Sequence, residues 1–222
     1  MSDIPENLEE FMIKILHRLL NLRSLDFGME SSFFLHPWCL KTIEVPLTYL
    51  RITTSGIPTI VHLLSTQPLP HTLQQFHVKL NDNCKRLQIN ISSVKLLPRM
   101  EVLHTFTFVK SFDWYFPEEW TFVDILTSSK VMPILQRMNF SSVIKSNDVD
   151  HMNHSALFTD YRNVDIHYAF IINDNRLHSE ISRYVPRGGS QSHPREIGST
   201  SFISDCWPNG QLFNTPDQYY VS

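Results

Sequence analysis

A six-residue pattern, apolar-x-x-apolar-x-apolar, recurs six times along the 222-residue chain and constrains its fold more than any other feature. Its apolar positions are Leu22, Leu25 and Phe27; Leu47, Leu50 and Ile52; Leu73, Phe76 and Val78; Leu103, Phe106 and Phe108; Leu135, Met138 and Phe140; and Tyr161, Val164 and Ile166. First positions lie 25, 26, 30, 32 and 26 residues apart. Near-even spacing of this length points to a solenoid, whose units bury surface against their neighbours and present one extended face.

The unselected positions test the pattern. Third positions are Ser24, Tyr49, Gln75, Thr105, Arg137 and Asn163, and fifth positions are Asp26, Arg51, His77, Thr107, Asn139 and Asp165. Eleven of these twelve are polar or charged, as expected of strands with one dry and one wet side. The alternation supports strands, and the even spacing supports stacking them in order. An ordinary α/β domain would show the same order of elements. Doubly wound sheets, however, are covered on both faces and their strands tend toward continuous apolar runs. The expected architecture is α/β: a solenoid of about six irregular repeats over residues 1–186, with a parallel concave sheet and helices on the convex side. Residues 187–222, rich in Gly, Ser and Pro, read as an extended or partly disordered tail.

Between the strands, apolar spacing at Leu8, Phe11, Met12, Ile15, Leu19 and Leu20 predicts a helix over residues 6–20. Further helices are expected over 58–64, 121–128 and 175–184, and a supplementary strand over 87–91. Five aromatics fall within residues 112–120. They read as a plug for a long repeat and not as an exposed patch, because aromatic surface is costly to leave in water.

Composition excludes several functions. Net charge is −3, with Lys and Arg scattered, so nucleic acid is not expected as a partner. Six glycines occur, and only Gly28 and Gly56 precede residue 188, which disfavours phosphate-cradling loops. Cys39, Cys84 and Cys206 are too few and scattered for a disulfide framework, which fits a reduced compartment. The opening residues lack the basic and apolar regions of a secretion signal. No apolar run of about 18 residues occurs either, so a cytoplasmic or nuclear protein off the membrane is expected. Sequons at Asn90, Asn139 and Asn153 then read as chance. Asp148, Asp150, His151 and His154 lie close together, but their Ser- and Asn-rich setting reads as a solvated loop and not a metal site. No local signature of a catalytic dyad surrounds any histidine or cysteine, and neither cofactor nor metal is expected.

The period lies around and just above the roughly 20–29 residues of leucine-rich repeats. Leu19 to Leu25, Leu97 to Leu103 and Met132 to Met138 carry a helix-to-strand signature, and the stretch from Phe202 to Trp207 adds to it. On these residues the chain resembles the degenerate leucine-rich-repeat portion of F-box proteins. The resemblance implies a non-enzymatic, monomeric protein-recognition module, the substrate-binding part of an F-box-type ubiquitin ligase receptor that meets a cullin–adaptor complex. Residues 1–20 read as one helix, in which no F-box is recognisable. A stand-alone scaffold without ligase coupling therefore stays open, and so does a small α/β hydrolase from a different class. The protein-binding residues expected on the concave face are Asp26, Tyr49, Arg51, Gln75, His77, Thr107, Arg137, Asn139 and Asp165. His77 and His167 are expected to point to this face too, and Thr107 to behave as a surface site.

Overall fold

A computed structural model describes residues 21–28, 45–54, 56–80, 91–110, 119–144, 154–173, 193–197 and 200–204. In chain order these form β1 (Ser24–Asp26), β2 (Tyr49–Thr54), α1 (Ile57–Ser65), α2 (Leu69–Thr72), β3 (Gln75–Leu80), α3 (Ile91–Val94) and β4 (Thr105–Lys110). Then follow α4 (Glu119–Leu126), β5 (Arg137–Ile144), α5 (Ala156–Thr159), β6 (Asp165–Asn173), β7 (His193–Ile197) and β8 (Thr200–Ser204). The fold is α/β. Its first six strands are parallel and lie side by side in sequence order, and β8 and β7 close the sheet beyond β6 as an antiparallel hairpin. That hairpin lies inside the stretch expected to be a tail.

A repeated backbone device sets the register. The carbonyl of Arg23 accepts the amides of Thr48 and Tyr49, that of Thr48 accepts Gln74 and Gln75, and that of Gln74 accepts His104 and Thr105. The carbonyl of His104 accepts Gln136 and Arg137, and all eight bonds measure 2.7–3.2 Å. Each unit thus hands one acceptor to the next at the same point, just ahead of the strand. Leu25, Leu50, Phe76, Phe106, Met138 and Ile166 consequently align across the sheet.

The last unit departs from the sequence reading. Ile166, not Val164, aligns with Met138, so the interval there is 28 residues and the register is displaced by two. Tyr161, expected as a buried first position, is 80% exposed. By register Asn163 stands where the other units place a leucine, and it takes a left-handed φ of 49°, which Asn tolerates better than most residues.

The core lies on one side of the sheet. Leu50, Ile52, Phe76, Val78, Phe106, Phe108, Met138 and Phe140 point into it, joined by Leu47, Leu73, Leu103 and Leu135 from the strand approaches. Phe76 stacks on Phe106 at 5.9 Å between ring centroids, and Phe108 stacks on Phe140 at 5.7 Å. Against this side α1 buries Ile57, Ile60, Leu63 and Leu64, its Pro58 sitting in the first turn where a missing N–H is no loss. Next, α4 buries Trp120, Phe122, Val123 and Leu126. Trp120 meets Phe140 edge-on at 5.7 Å and stacks on Phe158 at 6.2 Å, so this member of the aromatic cluster belongs to the core. Ser155 caps α5, accepting from the Leu157 amide and hydrogen-bonding the Asp124 carboxylate of α4.

Arg162 fastens the last unit to the one before. Its guanidinium donates to the carbonyls of Thr127 and Met132 at 2.8 and 2.7 Å and pairs with Asp160 at 2.6 Å. The expected helices over 6–20 and 175–184, and the aromatics 112–116, lie outside the described residues. So do residues 87–90 of the expected extra strand, while Ile91 opens a short helix instead.

Candidate functional site

The opposite side of the sheet gathers all nine of the expected face residues into two rows, one of them, Asp165, in the other row than expected. One row runs Ser24, Tyr49, Gln75, Thr105, Arg137 and Asp165, and the other Asp26, Arg51, His77, Thr107, Asn139 and His167. Asp165 therefore stands in the first of these rows, beside Arg137, and His167 takes the place expected for it. Asn163 precedes the strand and joins neither row. The face is also less open than the sequence implied. Ser24, Asp26, Arg137 and Asp165 are exposed, Tyr49, Arg51, Gln75, His77 and Thr105 only partly, and further along their strands Thr53 and Val109 are buried.

Thr107 and Asn139, expected on an open surface, are 0% and 8% exposed. Hydrogen bonds along the row explain both. Asn139 Nδ2 donates to Thr107 Oγ1 at 2.8 Å, and the same oxygen lies 2.8 Å from His77 Nδ1. Having accepted from Asn139, the hydroxyl has its own proton to give to Nδ1, the arrangement that puts the imidazole proton on Nε2 and uses both the donor and an acceptor site of the hydroxyl. Burial, and after it the Arg51 guanidinium, push His77 down to about 4, against the opposing pull of Asp26. The ring is thus neutral at physiological pH. Asn139 belongs to one of the three sequons, and its buried, bonded amide is not available to a glycan in this fold.

Both ends of the rows are charged. At the β1 end Arg51 Nη1 reaches Asp26 Oδ2 at 3.5 Å. Tyr49 lies beside them, with its ring 5.2 Å from that of His77. Burial and the Asp26 charge push the Tyr49 hydroxyl up, while Arg51 acts in the opposite direction. At the β6 end Arg137 Nε donates to Asp165 Oδ2 at 3.2 Å, and His167 Nε2 approaches the same oxygen at 3.1 Å. Gln75 lies between these ends, partly exposed.

The sequence reading passed over Lys79, which shares this side of the sheet and is partly exposed on β3. Its two-residue offset from His77 on an alternating strand was the available signal. Among the described residues no cluster of His, Cys, Asp and Glu could hold a metal ion, and no helix is long and apolar enough to cross a membrane. Cys39, Cys84, Cys206 and the segment 148–153 lie outside the described residues, whereas His154 is exposed. Compared with known proteins, the chain matches no protein family, no curated protein and no solved structure.

Proposed function

We propose that this chain is a non-enzymatic protein–protein recognition module, a leucine-rich-repeat-like solenoid that binds its partner through the polar face of the parallel sheet. Two regularities support the solenoid: the carbonyl that accepts two amides at four successive junctions, and strand neighbours that follow sequence order. One observation carries the binding role. The partly exposed Tyr49, Gln75 and Thr105 and the exposed Arg137 stand side by side, next to the hydrogen-bonded group of His77, Thr107 and Asn139. Accessible Tyr and Arg on a rigid support are the residue types that dominate protein interfaces. Thr107, wholly buried and bonded on both sides, is not presented as a nucleophile, which weighs against a hydrolase centred on His77.

The resemblance to F-box proteins extends the proposal to the substrate-binding part of a ubiquitin ligase receptor, acting as a monomer in the cytoplasm or nucleus. Proximity labelling supplies the partner, and its affinity is then measured for the purified chain. Tyr49→Ala and Arg137→Ala should each weaken binding about tenfold or more. Unchanged affinity in both, with loss on substitutions among the helices, would overturn the assignment to this face. Co-purification of a cullin and its adaptor would support ligase coupling. A partner bound without them would leave a stand-alone scaffold.

A further inference from the structure

Register fixes the order of charges across the polar face. From the β1 edge to β6 they are Asp26, then Arg51, Lys79 and Arg137, then Asp165. Of these six strands the first and last carry the carboxylates and β2, β3 and β5 the cations, on a chain whose net charge is −3. Two of these cations are poorly satisfied. Arg51 is 24% exposed; its guanidinium reaches Asp26 at 3.5 Å and hydrogen-bonds the Tyr49 side chain, while its buried Nε has no partner among the described residues. Lys79 has no acidic partner among the described residues. Arg137, half exposed, places Nε and Nη2 on one oxygen of Asp165, and its Nη1 has no side-chain partner among the described residues.

We propose that this strip binds an extended acidic peptide segment of a protein partner, laid across β2 to β5 with one carboxylate on Arg51 and a second on Arg137. The inference rests on the reading of this face as a protein-recognition surface and names the chemistry it selects. Neighbouring strands lie about 4.8 Å apart, so three intervals separate the two arginines by about 14 Å across the sheet. Arg51 also sits two residues further along its strand than the Arg137 row, which adds about 7 Å along the strands. An extended peptide advances about 3.3 Å per residue with side chains alternating, so carboxylates four residues apart face the same way about 13 Å apart. The long side chains of both partners span the difference. Acidic-x-x-x-acidic is therefore the expected pattern. Its intervening residues cross Tyr49, Gln75, Thr105 and His77, whose Nε2–H is the ring donor left to meet a peptide carbonyl.

The flanking carboxylates select further. A nucleic-acid backbone carries negative charge beyond the cations in both directions and would meet Asp26 on β1 and Asp165 on β6, whereas a peptide with neutral or basic flanks would not. These carboxylates also favour basic residues outside the acidic pair.

The test selects a random short-peptide library on the purified full chain and measures the enriched peptides by fluorescence anisotropy. Acidic pairs four residues apart should be enriched. Arg51→Gln and Arg137→Gln should each lower affinity roughly tenfold, the scale of a lost charged hydrogen bond, while a thermal melt shows the fold intact. Added salt should weaken binding. Enriched peptides without acidic pairs, released by Tyr49→Ala but indifferent to both arginine substitutions, would overturn the acidic-segment inference and leave the recognition face standing. Peptides indifferent to Tyr49, Arg51 and Arg137 alike, or no enrichment at all, would overturn both. An oligonucleotide binding more tightly than the best peptide would replace the peptide with nucleic acid.

Discussion

Acidification should unfold this protein partly through one residue, His77. Its imidazole is held neutral by burial and by Arg51, with a folded pKa of about 4 against about 6.5 in an unfolded chain. Between those two values the unfolded chain takes up a proton that the folded chain refuses. Stability therefore rises with pH across that window. The contribution is complete above about 6.5, falls away as pH drops toward 4, and is flat below. At about 1.36 kcal/mol per pH unit the full difference is close to 3 kcal/mol, and partial exposure of the ring brings it to about 2–3 kcal/mol. The charged and titratable groups near the ring are Arg51, Asp26 and Tyr49, and carboxylates elsewhere also titrate near pH 4. Wild type is therefore compared with His77→Gln, which keeps an acceptor for the Thr107 hydroxyl and cannot titrate. Urea unfolding at several pH values from 7.5 to 4.5 should show wild type losing about 2–3 kcal/mol more than the variant. Imidazole NMR should find the Nε2–H tautomer and a titration midpoint near 4. Parallel stability curves, or a midpoint at the ordinary histidine value, would refute the neutral His77 held by burial and Arg51, and an Nδ1–H tautomer would refute the relay from Asn139 through Thr107 to His77.

Thr107→Val should cost about 1–3 kcal/mol, because it strands Asn139 Nδ2 and His77 Nδ1 in a buried row. Thr107→Ser should recover most of that, and equal losses in urea unfolding would argue that methyl packing is what matters. Arg162→Ala should cost about 3–5 kcal/mol, since the 3%-exposed guanidinium satisfies two carbonyls and a carboxylate; a thermal midpoint lowered by less than about 2 °C would contradict this. Burial alone would raise the Asp160 carboxyl, but hydrogen bonds and charge from Arg162 outweigh it and hold it below its usual range. Its stabilisation should be present above the unfolded carboxylate value of about 3.9 and lost as pH falls through the lowered folded value, and Arg162→Ala should abolish that acid dependence. Phe108→Ala should cost about 3–5 kcal/mol, because the wholly buried ring contacts Phe106, Phe122 and Phe140.

The strands were legible because apolar residues at the fourth and sixth positions and polar ones at the third and fifth leave one assignment of faces. The register of the last strand was not, and the reason is geometric. A slip of one residue would send Val164 and Ile166 to the wet side, whereas a slip of two keeps both on the dry side. Under that slip Asp165 takes the place expected for Asn163 and His167 the place expected for Asp165, and all three are polar. Only pairing with Met138 and Asn139 decides between them. The burial of Thr107 was illegible for a different reason: a hydroxyl can be satisfied by water or by its neighbours, and residue type does not say which. Spacing found α1 to within a residue at each end, and α4 began two residues before its expected start. The hairpin of β7 and β8 escaped notice because Pro194 and the surrounding Gly and Ser resemble a tail, and its strands exist by pairing with β6 and with each other.

The middle of the polar face and its charged ends divide the work of a binding surface between them. Thr107, Asn139 and His77 are enclosed and bonded to one another, so the middle of the face is held in one arrangement. Asp26, Arg51, Arg137 and Asp165 form exposed or half-exposed pairs, of a kind that contributes little to stability. A partner's charges can therefore displace them at small cost, while the bonded residues between them keep their spacing. Unequal connections do not disturb this arrangement. Intervals of 25 to 32 residues all end at the same backbone junction, where a carbonyl accepts the next strand's amides. Extra length is taken up between the strands, and the charge order across the sheet stays as the register sets it. Shortening a long interval away from its strand should then leave affinity for the acidic peptide unchanged, whereas moving Arg137 by two residues along β5 should abolish the four-residue preference.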